Sequence, residues 1–193
     1  MNLPNRHIQN LLDCLTRSRL SFALYRLPWT DECYFVLQQS GDVEQLADIR
    51  ELNKKKGFVM APFLQSDHHP LIVIRPDITA YDWDEISEAI SSLECADALL
   101  TCKNQTEKLS PFVSEETDKE RYTQAFERFI TPLQKKHFQK LVLSRSSTKH
   151  INDDFSPLAA FVRACNNYPR MMILFCVILL FPVRGWAVHL KSY

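Results

Sequence analysis

Glycine is scarce in this chain: only Gly41, Gly57 and Gly185 occur in 193 residues. Average usage would supply about thirteen. Three isolated glycines build neither a P-loop nor a Gly-x-Gly-x-x-Gly turn, which disfavours nucleotide binding through a glycine loop. The shortage also hints that a glycine-containing part of the protein is missing. An excess of cations is lacking too, since 23 Lys and Arg balance 23 Asp and Glu. General nucleic-acid binding requires surplus cations to neutralise phosphates, so it is not expected. The balance leaves room for a small anion held by a few local cations. No two of the six cysteines, at 14, 33, 95, 102, 165 and 176, have CxxC spacing, so no zinc or redox motif of that type exists. The first residues lack the apolar core of an export signal. The cysteines therefore read as reduced, mostly buried residues of a cytoplasmic protein. The run from Met171 to Val183 is about thirteen residues long, against the roughly twenty that cross a bilayer. A buried strand is the simpler reading, and no membrane partner is expected.

What is present is ordinary for a globular protein: 46% hydrophobic and 24% charged residues, in a chain long enough for one sizeable domain or two small ones. Between Arg6 and Arg17, Ile8, Leu11, Leu12 and Leu15 repeat with helical spacing. Residues 21–27 and 33–38 read as strands around a turn at Pro28. Residues 42–56 suggest a short helix on Leu46, Ile49 and Leu52. Residues 57–63 and 71–75 read as a further strand pair joined by a loop at 65–70. A helix is expected over 84–93 with Asp82 as its N-cap. Residues 101–113 read as a linker or lid. From Ser114, acidic residues enrich a helix start, and Tyr122, Phe126, Phe129, Ile130 and Leu133 follow as one apolar face. Pro132 perturbs this helix. A helix over 155–165, capped by Asp153 or Asp154, and a strand from Met171 complete an α+β pattern without internal repeats.

The candidate site residue is Lys140, in Phe138-Gln139-Lys140-Leu141-Val142-Leu143-Ser144-Arg145. A lysine held at the edge of a buried strand sheds solvation, loses its proton more readily and becomes a usable general base. In an alternating strand it shares a face with Val142 and Ser144. The alternative is a solvated lysine that happens to precede a core strand. His68 and His69 are adjacent in a loop and point in different directions, so joint metal binding is awkward. Lys54, Lys55 and Lys56 read as a solvated turn rather than an anion site. Ser144, Ser146 and Ser147 lack a Gly-x-Ser-x-Gly setting for a nucleophile. No His, Asp and Glu cluster has metal spacing.

The Lys140 run resembles the lysine-bearing strand of the chorismate-utilising enzymes, and its context is most similar to isochorismate synthase. Residues 21–28, 57–63, 122–145 and 155–172 carry the resemblance, which covers nearly all of residues 1–173. The motif around Lys140 is the specific part. The resemblance implies the N-terminal part of an anthranilate synthase component I-like fold. Residues 1–112 would form an N-terminal α+β region and 113–173 the start of the chorismate-binding catalytic domain. It implies conversion of chorismate to isochorismate for menaquinone or siderophore synthesis, with Lys140 activating water. A later glutamate would protonate the leaving hydroxyl, and later carboxylates would hold Mg²⁺ on the substrate carboxylate. Those later elements have no counterpart in this chain. Another chorismate-utilising synthase (anthranilate, aminodeoxychorismate or salicylate) is the nearest alternative, and a non-catalytic binding module is a second. The oligomeric state is left open.

After Met172 the resemblance stops. Reading each codon one nucleotide early turns Ala187 after Trp186 into a forced glycine, and the codons of residues 188–193 permit Ser-Thr-Pro-Glu-Ile-Leu. That string is similar to the family segment carrying the acid glutamate. Residues 174–193 therefore read as an out-of-frame tail that leaves a truncated, inactive fragment. Exposed, its uncharged β-prone run would be an aggregation hazard.

Overall fold

The computed structural model describes residues 1–16, 18, 20–66, 69–93, 115–143, 155–180 and 183–192, with only the backbone described at 115–118, 179–180 and 183–192. These residues fall into two compact units, one formed by 1–104 with 156–193 and the other by 105–155. Both helices and antiparallel sheets are present, as an α+β pattern requires.

In the first unit, α1 (Arg6–Leu15) starts where the Asn5 side chain accepts from the Ile8 amide, a cap that satisfies one of the free first-turn amides. Strands β1 (Ser21–Arg26) and β2 (Tyr34–Gln38) pair antiparallel, with Ser21 opposite Gln38. β6 (Ile78–Tyr81) extends the sheet beyond β2. On the other side β1 pairs with β7 (Met171–Leu180), and β7 pairs with β8 (Val183–Ser192). The resulting order is β6-β2-β1-β7-β8. A second sheet has the order β3-β5-β4, from Glu44–Leu46, Leu71–Ile74 and Phe58–Met60. Gly57, at φ 142°, admits β4 beside β5, because a Cβ there would collide with the Ile74 carbonyl.

Both faces of the central strands β1, β2 and β7 are buried. Phe22, Leu24, Phe35, Leu37, Ile173, Phe175 and Val177 form one core with the apolar faces of α1, α2 (Asp82–Ser91) and α4 (Pro157–Asn167). Ala23, Val36, Leu174, Cys176 and Ile178 form another with Val43, Ile72 and Ile74 of the smaller sheet. The unit is thus layered helix, sheet, sheet. Two-sided burial explains why β1 and β7 are nearly continuous apolar runs rather than alternating ones. Phe175 meets Phe22 edge to face at 5.4 Å, a favoured aromatic geometry.

Three expectations are corrected. Residues 42–56 form β3 and a 3₁₀ helix at Ile49–Lys54, not an α-helix. Asp48 and Glu51 close a capping box there, and β3 gains β5 as a partner. Asp82 is the first residue of α2 rather than its cap, at φ 62°. Its carboxylate accepts from the Trp83 amide, while the Tyr81 amide donates to Glu85. The side-chain cap of α4 is Ser156, which accepts from Ala159 ahead of Pro157; Asp153 and Asp154 lie outside the described residues. β6 was not anticipated.

The second unit contains α3 (Glu115–Gln134), which keeps its helical form through Pro132. It ends in a turn in which His137 donates to the Pro132 carbonyl and Lys136 takes φ 56°. The expected strand over 138–145 is not formed at 138–143, which is irregular. A lone strand leaves its amides and carbonyls without ladder partners, and no strand of this unit is among the described residues.

Candidate functional site

Lys140 follows α3 by six positions, in the irregular segment that begins after the turn at 135–137. It is exposed, as are Phe138 at 54% and Val142 at 76% accessible, while Leu141 and Leu143 are half-buried. Ser144 and Arg145 lie outside the described residues, as do Ser146, Ser147 and His68. No other candidate side chain is brought to Lys140 by the described contacts.

The remaining candidates are placed individually. His69 pairs through Nδ1 with the Ser66 hydroxyl at 3.1 Å in the loop before β5. Lys54, Lys55 and Lys56 are exposed, and Lys55 bonds the Glu44 carboxylate. This ion pair and that of Arg50 with Asp48 flank an open depression of about 520 Å³ lined also by Glu51 and Lys54. Its cations are offset by neighbouring carboxylates, which argues against an anion site. Arg50 holds the Asp48 carboxyl down at about 2. Among the described residues no three His, Cys, Asp or Glu side chains group as a metal would require. No described helix is long and apolar enough to cross a membrane.

Cys33, Cys165 and Cys176 are buried. Burial, reinforced by the charges of Asp82 and Cys165, pushes the Cys33 thiol up to about 12. Burial also raises Cys165, against the opposing influence of Arg26. Both thiols therefore stay protonated at neutral pH, which removes them as nucleophiles. Cys95 and Cys102 lie outside the described residues.

Sequence reasoning missed Arg26, which is 2% exposed at the end of β1. Its Nη1 donates to the carbonyls of Leu27, Thr30 and Pro169, and its Nη2 to those of Tyr168 and Met171. The Trp29 amide adds a bond to Pro169, and Arg170 lies over the exposed Trp29 ring at 5.3 Å. The signal in the sequence was an arginine closing a β-type run just before Pro28.

No protein-family model matches the chain, and no curated protein or solved structure shows significant similarity to it.

Proposed function

We propose that this chain is the N-terminal part of a chorismate-utilising enzyme of the isochorismate synthase class, a cytoplasmic enzyme of menaquinone or siderophore synthesis. The observation that carries the reading is the run Phe138 to Arg145, with one lysine at the head of an apolar β-type segment. In this reading the fold is the first part of an anthranilate synthase component I-like architecture. Lys140 takes a proton from water as the water attacks chorismate, and an acid beyond Met172 protonates the departing hydroxyl. Mg²⁺ would hold the substrate carboxylate through carboxylates also beyond Met172. The chain as it stands is inactive, because acid–base catalysis needs both groups in place. The irregular backbone at 138–143 is consistent with a strand whose partners come from the absent part.

The test is chorismate turnover with Mg²⁺, comparing this chain with one restored to frame after Met172. Isochorismate from the restored protein only, lost again in Lys140→Ala, supports the reading. A restored protein that folds but makes another chorismate product moves the assignment to a sister synthase. A folded protein without turnover rejects it.

A second reading, a non-catalytic binding module, is favoured by one observation. Leu174 to Ile178 are buried in the central sheet rather than left exposed. A monodisperse, cooperatively unfolding 193-residue chain supports this alternative.

A further inference from the structure

Three tyrosines form a continuous row across the larger sheet. Tyr25 of β1 stands opposite Tyr34 of β2, and Tyr34 stands opposite Tyr81 of β6. Residues directly opposite in antiparallel strands share a face, and here the rings touch. Tyr25 and Tyr34 stack at 5.2 Å, and Tyr81 meets Tyr34 edge to face at 5.0 Å. Phe58 of the smaller sheet packs on Tyr25 at 5.4 Å. The row thus starts beside the smaller sheet and runs out to the edge strand β6, where Tyr81 is 42% exposed. The charge around it has one sign. Residues 27–49 and 76–93, which include β2, β6 and α2, hold five Asp and Glu apiece and no Lys or Arg, in a chain that is neutral overall. Some of those carboxylates lie at the exposed end of the row. Glu85 accepts from the Tyr81 amide. Burial first, and then the charges of Glu32 and Asp82 among its neighbours, raise the Tyr81 hydroxyl above its ordinary value. Of the cations near the row in sequence, Arg26 follows Tyr25 but shares the helix-facing side of β1 with Phe22 and Leu24, where carbonyls hold it. Lys56 precedes Phe58, at the other end.

We propose that the Tyr25-Tyr34-Tyr81 row docks an arginine-bearing segment of a basic partner protein, with a guanidinium lying on the exposed Tyr81 ring beside Glu32 and Glu85. The electron-rich face of a tyrosine attracts a cation. A guanidinium is flat, so it stacks on a ring while donating in its own plane to carboxylates, which a lysine ammonium does not do. The surrounding carboxylates select a cationic partner and repel an anionic one. A neutral apolar segment would gain from the rings but nothing from the charges. Tyrosine and arginine are also the residues that most often anchor protein interfaces. The inference does not depend on Lys140 or on any chorismate chemistry.

The experiment titrates the full chain into a dye-labelled hexa-arginine peptide at low salt and follows fluorescence anisotropy. Binding should saturate with a Kd below about 100 µM and weaken as salt screens the carboxylates. Tyr81→Ala should weaken it about 2–5-fold, as loss of an exposed cation–π contact does, and Glu32→Gln by a similar factor. Tyr81→Phe keeps the ring and should bind as the parent does. Glu120→Gln, which removes an exposed carboxylate of α3, should change nothing. Hexa-lysine should bind several-fold more weakly than hexa-arginine. Far-ultraviolet circular dichroism checks folding, and Glu32→Gln keeps the test decisive if Tyr81→Ala does not fold. No binding up to about 1 mM peptide overturns the proposal. Parental affinity in both Tyr81→Ala and Glu32→Gln also overturns it, because the peptide is then held by charge elsewhere. Equal or tighter binding of hexa-lysine overturns the guanidinium assignment.

Discussion

The Arg26 guanidinium reaches the Tyr168 carbonyl at 2.8 Å, across 142 positions of sequence. It is a buried cation held chiefly by backbone carbonyls, with five such bonds from Nη1 and Nη2, the Cys165 thiol beside it and no acceptor on Nε among the described residues. Its effect is to tie the end of β1 to the turn between α4 and β7, so that both sides of the central pairing close on one group. Carbonyl dipoles disperse the charge of a guanidinium that is itself withdrawn from water.

Arg26→Met should therefore cost about 1–3 kcal/mol, because several partly buried carbonyls lose their charged donor together. Arg26→Lys should fall between the two, since an ammonium keeps the charge but cannot fork to both sides. Urea unfolding of the three proteins checks this. A Met variant within about 0.5 kcal/mol of the parent, the range of ordinary surface substitutions, would show the clamp to be unimportant.

The layers of the fold were partly legible in the sequence, and the reason lies in particular residues. Ile8, Leu11, Leu12 and Leu15 repeat at helical spacing because α1 is buried on one face only. β1 was equally visible as an apolar run, but Phe22 and Ala23 face different cores. A strand buried on both faces carries no alternation to reveal which neighbour covers which side. Ile78–Tyr81 is only four residues long, too short for a period. Arg26 was hidden for another reason: a charged residue is taken as solvated unless its partners are known, and here they are carbonyls from distant positions. The Lys140 run shows the converse. Its β-type composition is plain, but a strand also requires partners that composition does not contain.

Cys33 makes stability depend on alkaline pH. Its folded thiol titrates at about 12, raised from an ordinary 9.0 first by burial. Below pH 9 both folded and unfolded thiols keep their proton, so stability is independent of this group. Between about 9 and 12 the unfolded thiol ionises and the folded one does not. Unfolding then releases a proton, and stability falls with rising pH by up to about 1.4 kcal/mol per unit. Cys165 and Tyr25 are shifted in the same direction, in each case chiefly by burial, and steepen the decline. Urea midpoints from pH 8 to pH 11.5, under reducing conditions, should be flat and then drop. Cys33→Ala should drop less steeply, by about one proton. Identical slopes would mean that the Cys33 thiol is not the group responsible.

The codons of the segment after Met172 conflict with its packing. An out-of-frame tail should not fit a core, yet Ile173, Phe175 and Val177 join one face of the sheet and Leu174, Cys176 and Ile178 the other. Two-sided burial removes much of the conflict. A sheet covered on both faces offers no polar position to violate, so any uncharged, β-prone run of sufficient length satisfies it in either register. Fit alone thus does not establish that the segment was selected for this place. Its energetic weight is still large. A chain stopped after Met172 loses most of β7, and β1 keeps an open edge where Phe22 had met Phe175. That chain should fail to unfold cooperatively, and in the full chain Phe175→Ala should cost about 3–5 kcal/mol. Thermal and urea unfolding of the shortened, full and frame-restored chains decide the matter. If the shortened chain melts as sharply as the full one, β7 contributes nothing to the core, and the burial of Leu174 to Ile178 ceases to favour the binding-module reading. If only the full and restored chains fold, the sheet accepts either translation of this segment, and the turnover assay alone separates enzyme from module.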